Sequence, residues 1–282
     1  MTTAARGAVV VTGASTGIGA SAAERLARDG FLVFAGVRSD ADAATVDALH
    51  PNSRSLRLDV TEPASIAAAV TTVAAADVPL RGLVNNAGIA VAGPLEFLPL
   101  ALLRRQFEVN FFGTLAVTQA FLPLLRPAHG RIVFVGSISG RLSVPFIAPY
   151  STSKFALRAA ADALRIELRP AGITVVLIEP GSVKTPIWQK GRESKAELLA
   201  ALPPEALHAY GEQIDSVYAN TEGEERGGMA VELVSDAIAH ALTAPKPRAN
   251  YLLGMGARAG AILALLHPAL RDRAVRRSMR LP

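Results

Sequence analysis

Residues 8–12, Ala-Val-Val-Val-Thr, run without a break into Gly13-Ala-Ser-Thr-Gly17-Ile-Gly19, and then into Ala-Ser-Ala-Ala-Glu-Arg-Leu-Ala-Arg-Asp, closed by Gly30. The apolar, β-branched run reads as a short buried strand, the stretch after the glycines reads as a helix, and Gly30 suits its C-cap. A glycine loop that leaves a strand and opens a helix is the setting a dinucleotide needs. Without Cβ atoms the backbone N–H groups can approach a pyrophosphate, and the helix dipole favours the anion. The spacing is G-x-x-x-G-x-G rather than G-x-G-x-x-G.

The alternation continues along the chain. Strands are expected at Phe31–Val37, Ser53–Leu58, Leu80–Val84, Arg131–Val135, Ile173–Ile178 and Ala249–Leu253. Helices are expected over Glu62–Ala75, Leu98–Leu125, Tyr150–Arg169 and Met229–Leu242. Ile173–Ile178 has the near-continuous apolar character of a strand buried on both faces. The 282 residues, 50% of them hydrophobic, suffice for one large domain with an ample core. The expected fold class is α/β, a Rossmann-type doubly wound parallel sheet of about seven strands. It forms a single domain over 1–282, with a lid over 186–227 and a basic tail over 257–282.

Composition excludes several classes. No apolar run reaches the ~18 residues of a membrane span, and the N-terminus carries no signal-peptide pattern. There is no cysteine, so disulfides and thiolate metal sites are excluded; a cytoplasmic location is expected. The five histidines show no ligand spacing, so no metal is expected. The net charge is +5, but no basic stripe with interleaved aromatics occurs, so nucleic acid is not an expected partner.

Further candidates lie at strand ends. The turn after Phe31–Val37 holds Arg38 and no acid before Asp40. A cofactor with a free ribose 2′-hydroxyl usually meets an acid there, whereas Arg38 suits a 2′-phosphate through charge-assisted hydrogen bonds. NADP(H) is therefore preferred, with NAD(H) possible. Asp59, followed by Val60, either bonds the adenine amino group or caps the next helix. Asn85-Asn86-Ala87-Gly88 offers two amides and a glycine for close approach to a cofactor, or is a simple turn. Asn110 sits mid-helix, where asparagine is a poor fit, and its side chain is expected to kink the helix.

The stretch Ser137–Lys154 carries the chemistry. Ser137 follows the strand Arg131–Val135, at the carboxyl end where open α/β sheets bind ligands. Tyr150 and Lys154 stand at i and i+4 on one helix face. A lysine ammonium there favours the phenolate and lowers the tyrosine pKa. Ser137 can hold a carbonyl or alcohol oxygen opposite Tyr150. Together they form a proton-transfer device for an alcohol/ketone pair. Further on, Pro180-Gly181 forces a turn that lets Thr185 reach back toward the cofactor. The helix after Tyr150 is expected to bury Ala156, Ala159, Ala160, Ala163 and Leu164, inside the subunit or against a second one.

Residues 186–227 read as a mobile helical lid over a substrate pocket. In the tail, Leu263, Leu266 and Leu270 could share a helix face interrupted by Pro268. Arginines follow at Arg271, Arg273, Arg276, Arg277 and Arg280. The tail packs beside the pocket, packs against another subunit, or makes peripheral membrane contact.

Thr12-Gly13-x-x-x-Gly17-x-Gly19, Asn85-Asn86-Ala87-Gly88, Asn110, Ser137, Tyr150-x-x-x-Lys154 and Pro180-Gly181 occur in this order between about Val9 and Leu253. This resembles the classical short-chain dehydrogenase/reductase superfamily. The resemblance implies that Tyr150 is the general acid/base. Lys154 would lower its pKa and bond the nicotinamide ribose, Ser137 would hold the substrate oxygen, and Asn110 would keep a water in a proton relay. It implies cofactor contacts from Gly13, Ser15, Thr16, Gly17, Ile18 and Gly19, and from Arg38, Asp59 and Val60. Further contacts are implied from Asn86, Ala87 and Gly88, from Tyr150 and Lys154, and from Pro180, Gly181, Val183 and Thr185. It implies a homodimer or homotetramer. The lid and tail look like those of members acting on steroids, retinoids or other lipophilic alcohols.

The expected function is an NADP(H)-dependent oxidoreductase that interconverts a ketone or aldehyde with an alcohol. The alternatives are an NAD-dependent alcohol dehydrogenase, a non-catalytic dinucleotide sensor of the same fold, and a non-redox epimerase or dehydratase. The glycine spacing argues against the last.

Overall fold

The computed structural model describes residues 6–193 and 195–279. Arg280, at the end of the basic tail, lies outside the described residues. Seven strands form one parallel sheet: β1 (Ala8–Val11), β2 (Leu32–Val37), β3 (Ser53–Arg57), β4 (Leu80–Asn85), β5 (Arg131–Val135), β6 (Thr174–Pro180) and β7 (Asn250–Leu253). Their order is β3-β2-β1-β4-β5-β6-β7. The order reverses between β1 and β4, and the crevice at such a switch point is where open sheets bind ligands.

Alternate strand residues feed opposite cores, because side chains alternate across a pleated sheet. Val9, Val11, Val33, Ala35, Val133, Val176 and Ile178 meet α1 (Gly17–Arg28) and α10 (Val231–Thr243) on one face. Ala8, Val10, Leu32, Phe34, Ile132, Phe134, Val175 and Leu177 form the other core. There they meet α3 (Pro63–Ala74), α5 (Thr114–Leu125) and α6 (Ala148–Glu167). Burial on both faces explains the near-continuous apolar runs of these strands.

Several boundaries differ from expectation. Helix α1 stops at Arg28 with Asp29 as C-cap, and Gly30 follows at φ +89°. A helix not foreseen, α2 (Asp40–Asp47), is N-capped by Ser39, whose Oγ accepts from the Asp42 N–H at 3.1 Å. The stretch expected as one helix from Leu98 is α4 (Leu100–Phe107), a π-helical segment Glu108–Gly113 around Asn110, and then α5. Taken together, Leu100–Leu125 is long and apolar enough to cross a membrane by length and composition. Its Val117, Phe121 and Leu125 pack on the sheet instead. On α6 the buried residues are Pro149, Ser151, Ser153, Lys154, Leu157 and Ala161. The expected face of Ala156, Ala159, Ala160, Ala163 and Leu164 is half-buried or exposed. The helix turns its small polar side toward the π segment and the site.

The 186–227 region forms α7 (Ile187–Glu193), α8 (Lys195–Ala201) and α9 (Pro204–Gly227). Leu198, Leu202, Ala206, Ile214 and Tyr218 make a separate apolar cluster with Leu98. The tail forms α11 (Met255–Leu263) and α12 (Pro268–Ser278), broken before Pro268.

Candidate active site

A cavity of about 1200 Å³ runs along the carboxyl ends of the strands. At one end lies the glycine loop. Gly13 and Gly17 have φ of +63° and +59°, a region side chains disfavour. A Cβ on Gly19 would lie 2.2 Å from the Gly13 carbonyl oxygen. The N-cap of α1, Thr16, makes no side-chain cap bond, and the first turn holds no acid. The first N–H groups of α1 are thus left to an external anion.

The loop is held from behind. Asn86 Nδ2 donates to the carbonyls of Thr12 (3.0 Å) and Gly13 (2.9 Å), while Thr12 Oγ1 accepts from the N–H groups of Asn86 and Ala87, both at 2.9 Å. Asn85 is buried and donates to Thr118 Oγ1 at 2.9 Å. Both amides expected to approach a cofactor therefore spend those donors on the protein; Asn86, Ala87 and Gly88 still line the cavity.

Arg38 is exposed at the end of β2 and lines the same end, with Ser15, Thr16, Ile18, Asp59 and Val60. Asp59 Oδ1 accepts from Thr61 N–H at 2.9 Å and Thr61 Oγ1 at 2.7 Å. Burial alone would raise its pKa, but these bonds and the Arg38 charge outweigh that and hold the carboxyl below its ordinary value. Asp59 does not cap α3; Glu62 occupies the N-cap. Across the cavity, Pro180, Gly181, Val183 and Thr185 line the wall. Thr185 does come back against the glycine loop: a Cβ on Gly17 would lie 3.2 Å from its side chain.

Ser137, Tyr150 and Lys154 all line this cavity. Burial pushes the Tyr150 phenol up to about 12, against a hydrogen bond with Ser137 that pulls the other way. Lys154 Nζ donates to the Val135 carbonyl at 2.9 Å and stands 5.6 Å from the Tyr150 ring centroid. Burial lowers its pKa to about 8. The expected depression of the Tyr150 pKa by Lys154 is therefore not what this arrangement produces. Desolvation dominates both groups, and the ammonium faces a carbonyl rather than the phenol.

Asn110 is fully buried and does not line the cavity. Its Oδ1 accepts from Ile89 N–H at 2.9 Å; its Nδ2 donates to Ile89 O at 3.0 Å and to Ser153 Oγ at 3.1 Å. Ser153 Oγ in turn donates to the Tyr150 carbonyl at 2.7 Å. Asn110 thus ties the first turn of α6 to the chain after β4. The π segment brings its side chain to that position.

Three features had no clear signal in the sequence. Gln106, fully buried in α4, accepts from Val91 N–H at 2.6 Å and donates to Ile89 O at 2.8 Å, pinning a wall of the cavity. Arg141 Nε donates to Glu179 Oε1 at 2.7 Å. Ser278 and Met279 reach the cavity from the end of α12. Away from the glycine loop, the walls are largely apolar, with Val91, Leu142, Val144, Ile147, Trp188 and Tyr218.

These residues fit a dinucleotide. The glycines leave a cradle that a Cβ would fill, the α1 N-terminus is open to an anion, and Arg38 stands beside it. Known proteins agree. The family model for short chain dehydrogenases matches residues 7–196. An NADPH-dependent 3-dehydrocapnine reductase of Ornithobacterium rhinotracheale is 36% identical, covering 86% of this chain and 87% of its own. Human 11-beta-hydroxysteroid dehydrogenase type 2 is 38% identical, covering 88% of this chain and 64% of its own. A short-chain dehydrogenase structure from Streptomyces avermitilis has a TM-score of 0.80 at 27% identity, covering 99% of this chain and 98% of its own. One from Burkholderia cenocepacia, in complex with NADP, has a TM-score of 0.73 at 28% identity, covering 99% of both. By sequence, fold and site, the chain belongs to the short-chain dehydrogenase/reductase family of NAD(P)-dependent oxidoreductases acting on CH–OH donors.

Proposed function

We propose that the protein is an NADP(H)-preferring enzyme that interconverts a lipophilic ketone or aldehyde with its alcohol. One observation carries this reading: the hydrogen-bonded Ser137 and Tyr150 hydroxyls line one cavity together with the glycine loop, Arg38 and a set of apolar side chains. A bound nicotinamide dinucleotide supplies or accepts the hydride. The chain supplies the rest. Ser137 holds the substrate oxygen. Tyr150, kept a phenol by burial, gives its proton to that oxygen in reduction and takes it back in oxidation. Lys154, its Nζ held on the Val135 carbonyl, lines the same cavity and is placed to bond the nicotinamide ribose. Asn110 positions Tyr150 through Ser153. The apolar walls exclude water and receive a bulky substrate.

Two features of relatives support the finer choices. The Ornithobacterium reductase is named NADPH-dependent and the Burkholderia structure holds NADP, in keeping with Arg38. The human relative is named for a hydroxysteroid, in keeping with the apolar walls. A homo-oligomer is also proposed. The outward side of α6, with Phe155 and Ile166 exposed, suits a second copy, and sedimentation would test it.

The deciding experiment follows nicotinamide absorbance with NADPH and NADH in parallel, over ketones from small aliphatic to steroidal. Oxidation of NADPH with the bulky apolar ketones is expected. Preference for NADH would overturn the Arg38 assignment and leave the Tyr150 chemistry standing. Tight cofactor binding without turnover of any ketone would favour the sensor reading.

A further inference from the structure

The tail helices carry an unusual surface. On α11, Met255, Arg258 and Ile262 share an outward face at i, i+3 and i+7. On α12, Leu270, Arg273 and Arg277 repeat that pattern. The turn between them adds Leu265 and Leu266. Met255 and Leu265 are 87% and 86% exposed, and Ile262 and Leu270 exceed half. From Met255 to Met279 the sequence holds five arginines and a single acid, Asp272, which pairs with Arg271 at 3.4 Å.

This surface adjoins the site. A Cβ on Gly260 of α11 would lie 3.0 Å from Ile138, the residue after Ser137. Met279, just past α12, lines the cavity. The helices therefore connect the catalytic turn to the apolar, arginine-rich exterior.

We propose that α11, α12 and the turn between them dock on an anionic lipid bilayer, with Leu265 and Leu270 entering the interface and Arg258, Arg273 and Arg277 meeting lipid phosphates. Large apolar side chains flanked by arginines are what an interfacial helix presents to such a surface. Charge decides against a second copy as the occupant. A two-fold contact would set the same arginines against themselves, with one already paired acid to offset them. The proposal extends the lipophilic-substrate reading by placing the cavity beside a membrane, but the contact does not depend on turnover.

The test floats the full-length protein with vesicles of phosphatidylcholine alone and of phosphatidylcholine with phosphatidylglycerol. Binding to the anionic vesicles only is expected, and roughly 0.5 M salt should release it, because screening at that ionic strength acts over a few ångströms. Arg273→Glu with Arg277→Glu should lower the bound fraction about ten-fold or more, and Leu265→Glu with Leu270→Glu should do the same. Sedimentation velocity and oxidation of NADPH with a water-soluble ketone are measured on each variant. Lost flotation with unchanged mass and turnover supports the docking surface. No flotation of the wild type, or equal flotation with neutral vesicles, overturns it. A wild-type oligomer that falls apart in the leucine variants also overturns it, assigning the surface to a second copy. Inactivity of every form, wild type included, would count against the catalytic reading alone, since flotation is scored without substrate.

Discussion

Arg141 grips Glu179 through two guanidinium nitrogens, Nε and Nη2, each on its own carboxylate oxygen. Glu179 is 1% exposed, and Arg158 Nη1 lies 3.8 Å from the same carboxylate. Arg141 follows Gly140, which sits so close to α6 that a Cβ there would lie 2.8 Å from the Lys154 carbonyl oxygen. The turn bearing Ser137 is thereby held to α6 on one side and to the end of β6 on the other.

Removing one partner of a buried pair leaves the other charge uncompensated. Glu179→Ala should cost on the order of 3 kcal/mol of stability, read from the midpoint of urea unfolding. Arg141→Lys keeps the charge but loses the two-pronged geometry, and should fall between wild type and Glu179→Ala. Wild-type stability in both variants would mean that the pair is not what fixes the turn.

Tyr150→Phe keeps the ring and removes the proton. Turnover should fall by roughly 10²–10⁴-fold, the usual weight of a positioned acid/base, while NADPH binding, followed by fluorescence of the nicotinamide, stays near wild type. A variant that turns over at close to the normal rate would remove Tyr150 from the reaction.

Arg38→Ala deletes a charge-assisted bond to a 2′-phosphate. NADPH should bind roughly ten- to hundred-fold more weakly, the equivalent of about 1.5–3 kcal/mol, with NADH little changed. Equal losses for the two cofactors would assign Arg38 to folding of the loop instead.

Burial sets the pH dependence. With Tyr150 at about 12 and Lys154 at about 8, the phenol stays a proton donor through neutrality while the lysine loses its charge above about pH 8. The kcat/KM for reduction, which reports groups of the free enzyme, should be level below that pH and fall above it. A profile level to about pH 10 would show that the Lys154 charge is not needed. Stability follows by linkage. The Lys154 pKa is depressed from 10.5, so between 8 and 10.5 the unfolded chain binds the extra proton, and this contribution grows with rising pH and is lost as pH falls through 8. The Tyr150 pKa is raised from 10.0, so its contribution is present below that pH and lost as pH rises toward 12. Urea midpoints across pH 7–12 in wild type and Tyr150→Phe separate the two.

Gly19→Ala tests the cradle itself. The added methyl would meet the Gly13 carbonyl at 2.2 Å and Asn86 Nδ2 at 2.5 Å, and neither is the free end of a flexible chain. Loss of cofactor binding in a calorimetric titration is expected, together with a lowered unfolding midpoint. Normal affinity would mean that the loop relaxes without cost.

The alternation of buried strands with helices, the glycine loop and the order of the site residues were legible in the chain because each is a local pattern. A short, β-branched apolar run such as Val175–Ile178 reads as a doubly covered strand, and a glycine loop between a strand and a helix suits a dinucleotide. Asn110 also announced itself as a misfit in a helix, and the π segment is what that misfit became. Ser137, Tyr150 and Lys154 were recognisable by type and spacing.

Their state was not, because desolvation is a property of the packed cavity. Sequence spacing put Lys154 on the same face as Tyr150; the fold turned its buried ammonium to the Val135 carbonyl and desolvated the half-buried phenol, reversing its expected shift. Asn86 lines the cavity as expected and also braces the glycine loop, a role set by its partners, Thr12 and Gly13, which lie just past a neighbouring strand. Glu179 and Arg141, separated by 38 positions, meet only because β5 and β6 pair in parallel and set the turn after one beside the end of the other. The chain by itself determined which elements form and which chemistry they carry. Long-range packing decided what each ionisable group faces, because burial and distance, rather than residue type, set its charge.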